Sequence, residues 1–283
     1  MPFGLRSRRV EQGGTISTGP LRHRQARGDA RAPRDSAGAS TGRCHVAANE
    51  RLVLTSLPES MSTHDATATA ARRLRGAYDA VQELFDLLHA TRQQKIDAGQ
   101  QVRKLEHGET DLLRAAILFA GAGLDSTLKE LLRVTLPRLI DQHKPAADKL
   151  KQYASQLVDE QPKAAKRLLA SLDADAGLRQ EYIESLVNPS LQGANHLVKV
   201  RDVLGLKELG ELTTTNLKTT GVFFTARNQI AHELDLKVPM GRGDSTRRPR
   251  PMSTTRDEVD LILRISAAFV INTNELLLAP QGM

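Results

Sequence analysis

Tryptophan is absent from this 283-residue chain, only six phenylalanines and three tyrosines are present, and Cys44 is the single cysteine. One thiol excludes an internal disulfide framework and any cysteine-based zinc site, and makes a reducing, cytoplasmic setting the expectation. Scarce aromatics beside abundant Leu and Ala disfavour a β-sandwich and favour helices. The glycine spacing of a Rossmann or P-loop phosphate cradle is missing, as is the nucleophile pattern of an α/β-hydrolase. His107, His143 and His196 stand isolated, without metal-ligand spacing such as H-E-x-x-H, and read as surface or capping residues. The most apolar C-terminal run is interrupted by Arg264 and Ser266 and reads as too short to span a bilayer. The expectation is therefore a protein with no metal, no cofactor and no membrane partner.

What charge there is lies unevenly. Residues 1–60 hold ten arginines and five acidic residues, a net of +5 out of +7 for the whole chain. The basicity belongs mostly to that segment and says little about nucleic-acid binding by the rest. Up to about Ala48 the segment has no helical or strand periodicity and is rich in Gly, Arg, Ser, Thr and Pro, a disordered composition. It lacks the apolar core of a secretory signal, and Glu11, Asp29 and Asp35 argue against an organelle presequence. A basic nucleic-acid tail stays open. The reading adopted is a disordered Arg/Gly-rich tail over 1–60, translated from upstream of a true start at Met61, followed by one helical domain over 61–283.

From Met61 onward the periodicity is helical. Leu74, Tyr78, Val81, Phe85 and Leu88 form one apolar stripe, continued by Ala98, Val102 and Leu105, which predicts a helix over 64–106 closed by His107-Gly108. Thr110 or Asp111 should cap a second long helix running from Leu112 to Leu136 and ending before Pro137. Gly121 and Gly123, in its middle, each cost about 1 kcal/mol of helix propensity relative to Ala, which close approach of a neighbouring helix would explain. Further helices are expected over 145–158, 162–172, 175–187 and 191–204, the last capped by Ser190. A helix over 217–236 follows, preceded by the cap candidates Thr213, Thr214 and Thr215 and ended by Pro239, Gly241 and Gly243. The last helix should open with a capping box from Thr255 to Glu258. No strand pattern and no internal repeat appear, so the fold class is all-α: a bundle of long antiparallel helices with extra short ones.

Within the helix over 217–236 lies Arg227-Asn228-Gln229-Ile230-Ala231-His232. Asn228 and His232 are an i,i+4 pair on one face, and Arg227 lies about 140° from His232 around the axis, with a side chain long enough to sweep back. A guanidinium that forks onto phosphate beside an imidazole that moves protons is a minimal kit for cutting RNA. An Arg-x4-His spacing arises roughly once by chance in a chain with eight histidines and this many arginines, but Asn directly after the Arg makes a chance match much rarer. Arg242, Arg247, Arg248 and Arg250 form a basic loop beyond the helix, read equally as a binder of RNA backbone or as a mobile charged loop. Its Arg242-Gly243-Asp244 tripeptide is a coincidence. Glu233 reads as solvated surface, and Asp125, Glu130 and Arg133 as helix ion pairs.

The string from Phe224 to Asp235 resembles the signature of HEPN domains, in which an Arg is followed by a polar residue, often Asn, then three residues and His. The stretch from Phe119 to Arg133 is similar to an early helix of bacterial HEPN proteins of the RiboL-PSP type, and the loop from Gly241 to Arg250 to their Arg-rich insertion. The resemblance spans about 70–280, and its specific element is Arg227-Asn228-x3-His232. It implies a helical bundle and a metal-independent endoribonuclease in a toxin–antitoxin or phage-defence setting. It implies a homodimer whose two motif copies face each other across a two-fold axis, with RNA as substrate and an antitoxin protein among the partners. Arg227, Asn228 and His232 would be catalytic, with 2′-OH attack giving a 2′,3′-cyclic phosphate. The alternative is a non-catalytic HEPN scaffold that binds nucleotide or a partner protein; an intact Arg-Asn-His set favours the nuclease.

Overall fold

The computed structural model describes residues 50–163, 166, 174–237 and 246–279. Helix α1 spans Asp65–Asp97 and α2 His107–Gln142. Tips and middles meet in reverse order: Arg92 pairs with Glu109, Ala77 lies against Gly123 and Arg73 pairs with Glu130, so α1 and α2 form an antiparallel hairpin. Helix α3 (Lys144–Glu160), α4 (Ala174–Val187) and α5 (Ala194–Leu204) pack on the C-terminal half of α2. A 3₁₀ turn, Gly210–Leu212, leads to α6 (Thr214–Thr219) and α7 (Gly221–Glu233). Helix α8, Met252–Leu278, closes the core against α1 and α2. Among the described residues there is no strand, only one isolated bridge between Leu236 and Arg247. The protein is all-α.

The apolar stripe of α1 is buried as the periodicity requires, with Leu74, Val81, Phe85 and Leu88 inside the core. The helix stops nine residues earlier than expected. Gly99 takes a left-handed φ of 73°, and the Gln100 N–H returns to the Lys95 carbonyl at 2.9 Å, closing the last turn. Residues 98–106 are therefore a connection, not a helix end. The cap of α2 is Glu106, in a reciprocal capping box with Glu109, rather than Thr110 or Asp111. Burial pushes the Glu109 carboxyl up, but the Glu106 N–H and Lys95 outweigh it and hold it below its usual range. Helix α2 also runs through Pro137 to Gln142, because Leu136, Leu139 and Ile140 keep the same buried face beyond the proline. The helix expected over 162–172 lies largely outside the described residues. Gly193, not Ser190, caps α5, and α8 starts at Met252 after Pro251, so Thr255 and Glu258 lie inside it.

Helix α8 is 27 residues long and, by length and apolarity alone, sufficient to cross a membrane, contrary to the expectation of a run too short. Half of its most apolar window is buried inside the bundle, and two of its buried polar residues, Asp260 and Asn274, have partners on the N-terminal side. The Asn274 side-chain carbonyl accepts from the backbone N–H groups of Thr63 and His64, both at 2.9 Å.

The core begins upstream of Met61, the boundary expected from the sequence. Leu52 and Leu54 are 4% and 3% exposed. Gln82 on α1 accepts from the Leu54 N–H at 3.0 Å and donates to the Leu52 carbonyl at 3.1 Å. Asp260 on α8 accepts from the backbone and hydroxyl of Thr55. Residues 1–49 of the tail expected over 1–60 lie outside the described residues.

Gly123 is where α1 and α2 come closest: a Cβ there would stand 2.3 Å from the Ala77 Cβ. Gly123→Ala is expected to lower stability by up to about 2 kcal/mol, because overpacking of about 1–3 kcal/mol is set against about 1 kcal/mol of gained helix propensity. The nearest atom to a Cβ at Gly121 would be the Arg227 Cγ at 3.4 Å, on a side chain able to shift, with Phe223 and Gln192 at ordinary contact distance. Gly121→Ala is expected to leave stability within about 1 kcal/mol of the parent, since small contact costs and propensity gains nearly cancel. Urea denaturation of the two variants checks this order.

Candidate active site

Thr213 caps α6, its hydroxyl accepting from the Asn216 N–H at 3.3 Å, as one of the expected caps. The single helix expected over 217–236 is divided at Thr220, whose buried hydroxyl donates to the Leu217 carbonyl. It ends at Glu233 rather than near Pro239, which lies outside the described residues. Leu234 and Asp235 both take left-handed φ values, 50° and 58°, and the Asp235 N–H returns to the Gln229 carbonyl at 2.9 Å. Two successive non-glycine residues in this region cost roughly 1–2 kcal/mol each, so the surroundings must hold them there.

They do so through charge. The Asp235 side chain is fully buried and accepts from Arg114 Nε at 2.8 Å on α2 and from Arg250 Nε at 3.1 Å. Arg114 also pairs with Asp111, and Arg250 also donates to the Gln229 Oε1 at 3.2 Å. Burial would raise the Asp235 carboxyl, but hydrogen bonds from Arg250 and then Arg114 outweigh it and hold it below the usual carboxylate range. The Asp235 carbonyl accepts from the Arg248 N–H at 2.8 Å, and Lys237 N–H reaches the Thr246 carbonyl at 2.9 Å, folding the Arg-rich segment back along the helix end.

Along α7, Phe223, Phe224, Ala226 and Ile230 face the core. Arg227 is half-buried. Its stem lies against Gly121 of α2, and one guanidinium nitrogen donates to the Asn228 Oδ1 at 3.2 Å. Arg227 Nε and Gln192 Oε1, a donor and an acceptor, are both buried without a hydrogen-bond partner. Both side chains flank Gly121. His232 and Asn228 are exposed, and the His232 side chain makes no hydrogen bond or ion pair among the described residues. Arg227 and Asn228 are thus brought together. The Arg227 stem runs to the α2 seam instead of sweeping round to His232, because the gap left by Gly121 accepts it.

The described arginines of the basic loop all have carboxylate partners. Arg247 pairs with Asp111 at 2.7 Å, Arg248 with Glu233 at 3.2 Å and Arg250 with Asp235 at 2.5 Å. A phosphate would have to compete with those carboxylates, most of all at Arg250, which is 13% exposed. Arg242 lies outside the described residues. Arg247, Arg248 and Arg250 nonetheless line a cleft of about 810 Å³ together with Lys104, His107 and Arg114. Glu233, expected to be solvated surface, is the partner of Arg248. Asp125 makes a helix ion pair, with Lys129 at 2.9 Å, and also accepts from the Leu191 N–H at 2.7 Å, whereas Glu130 pairs across the hairpin with Arg73 at 2.9 Å instead of within its own helix. Among the described residues no group of three His, Cys, Asp or Glu side chains is placed to hold a metal ion.

Sequence reading gave no role to Asp235 or Gln192. Asp235 stood in the motif string, but its charge partners lie 121 residues before it and 15 residues after it. Gln192 belongs to the turn before α5, and no local pattern links it to Arg227. Compared with known proteins, the chain matches no protein-family model, no curated protein and no solved structure.

Proposed function

We propose that this chain is a metal-independent endoribonuclease of the HEPN type, acting in the cytoplasm as a toxin or phage-defence effector. The observation that carries the reading is the contrast among the arginines around the motif helix. Arg114, Arg247, Arg248 and Arg250 have carboxylate partners, whereas Arg227, in the motif, has none among the described residues and is held by the neutral Asn228. A guanidinium without a counter-ion is available to a phosphate. One turn on, His232 offers a solvent-facing imidazole.

The chemistry follows from these groups. The ribose 2′-OH attacks the adjacent phosphorus, and the bond to the 5′-oxygen of the next nucleotide breaks, leaving a 2′,3′-cyclic phosphate and a 5′-OH. His232 takes the 2′-OH proton or gives one to the leaving oxygen. Arg227 stabilises charge on the phosphorane, and Asn228 keeps the guanidinium turned outward. Because the Arg227 stem and His232 leave α7 in different directions, a second copy would complete the site across a two-fold axis. Val222 on α7, 66% exposed, and Phe119 on α2, 51% exposed, supply apolar surface for that contact.

The test is incubation of the purified chain with mixed RNA in EDTA. Arg227→Ala and His232→Ala are each expected to reduce cleavage by about 10²-fold or more, with 2′,3′-cyclic phosphate ends on the parent's products. Cleavage that survives both substitutions rejects the site, and cleavage abolished by EDTA rejects the metal-free mechanism. No cleavage of any RNA leaves the scaffold that binds nucleotide or a partner protein. Val222→Glu is expected to shift the chain toward monomer in light scattering and to reduce cleavage with it.

A further inference from the structure

A second cleft, lined by no residue of the Arg227 motif, lies where α3, α4, α5 and α6 meet. It encloses about 720 Å³, within the range of small-molecule sites. Its wall holds Tyr153 and Tyr182, two of the chain's three tyrosines, with ring centroids 5.0 Å apart. Tyr182 is buried, so Tyr153, half-exposed and backed by it, presents the accessible aromatic surface.

The charge around it is mostly of one sign. Its lysines have no carboxylate partner: Lys149 reaches only the neutral Gln152 side chain at 3.5 Å, and Lys199 and Lys218 have no partner among the described residues. The only acid in the lining, Asp202, is taken by Arg201 at 2.8 Å. Three ammonium groups without counter-ions thus surround one aromatic wall. The side-chain amides of Gln152, Gln156 and Asn195 add donors and acceptors on the same rim.

We propose that this cleft binds a nucleoside phosphate, with the base against Tyr153 and the phosphate between Lys199 and Lys218. The ligand must be anionic, because unpaired lysines line the cleft, and it must carry a flat ring, because an aromatic wall and hydrogen-bonding amides stand beside them. A nucleotide supplies both, either free or as one unit of an RNA strand. The site stands apart from the Arg227 motif and does not depend on cleavage there.

Calorimetric titration of the full chain separates the sources, using AMP, adenosine, pyrophosphate and a 2′-O-methyl oligoribonucleotide that cannot be cut. AMP is expected to bind at least tenfold more tightly than adenosine or pyrophosphate. Lys199→Glu and Lys218→Glu should each weaken AMP at least tenfold, and Tyr153→Leu should weaken it several-fold. Arg227→Ala should leave it unchanged, which keeps this result distinct from the fate of the nuclease reading. Binding of the oligonucleotide but not AMP, with the same dependence on the lysines, identifies the strand as the source. The proposal is overturned if neither ligand binds, or if binding ignores both lysine reversals and Tyr153→Leu. It is also overturned if an oligoglutamate peptide binds as tightly as AMP. The lysines are on the surface, and thermal denaturation checks that Tyr153→Leu still folds.

Discussion

Asp235→Ala is expected to destabilise the fold by about 3–5 kcal/mol, the range for breaking a buried ion pair by removing one partner. Arg114 is 6% exposed and the Asp235 side chain is fully buried, so the substitution leaves a desolvated guanidinium facing a methyl group. Asp111 still pairs with Arg114 but is half-exposed, and offsets only part of the loss. Alanine also tolerates the φ of 58° less well than aspartate. Asp235→Asn separates these causes, since asparagine accepts the left-handed conformation; it should cost less than alanine while removing the charge.

The pH dependence has a definite sign. The folded-state pKa of Asp235 is lowered, so its contribution is fully present above the unfolded value of about 3.9 and is lost as pH falls through the folded value. The stability gap between the parent and Asp235→Asn should therefore be constant near neutrality and close below about pH 4. Guanidinium denaturation at several pH values measures it. A gap that widened on acidification would reject the ion-pair account. The C-terminus of the motif helix depends on the same carboxylate, so loosening of residues 229–237 should appear as faster amide exchange there.

Removing residues 1–60 is expected to cost about 3–6 kcal/mol relative to a chain starting at residue 50. Leu52 and Leu54 each lose a nearly complete burial, worth about 1.5–3 kcal/mol. Gln82 and Asp260 lose the backbone partners supplied by Leu52, Leu54 and Thr55, although Asp260 keeps Arg264. The exposed Arg51–Asp86 pair adds little. Against a typical domain stability of about 5–15 kcal/mol, such a loss should lower the denaturation midpoint sharply. Equal midpoints for chains 50–283 and 61–283 would show that the segment contributes nothing. The double variant Leu52→Ala, Leu54→Ala should reproduce most of the effect in the full chain.

The motif was legible in the sequence because its spacing is local. Arg227, Asn228 and His232 sit within six residues, and a 3.6-residue period fixes their angular relation before any tertiary contact forms. Gly123 was legible as a close approach for a similar reason, since a helix-breaking residue in a long apolar helix needs an external cause. The charge on Arg247, Arg248 and Arg250 was visible, but its employment was not. Which carboxylate each arginine meets depends on Asp111, Glu233 and Asp235, brought together by the packing of α2 against α7.

By itself the sequence determined the helical class, the buried stripe of α1, and the candidate catalytic trio on a late helix, because each follows from repeated apolar spacing or a short motif. Only the tertiary structure decided that Leu52 and Leu54 belong to the core, that Arg227 lies in the seam opened by Gly121 beside Gln192, and that the motif helix stops at Glu233. Those outcomes depend on contacts between segments distant in the chain. Burial makes such contacts decisive: a carboxylate or an apolar side chain removed from water must be matched by whatever the fold places beside it.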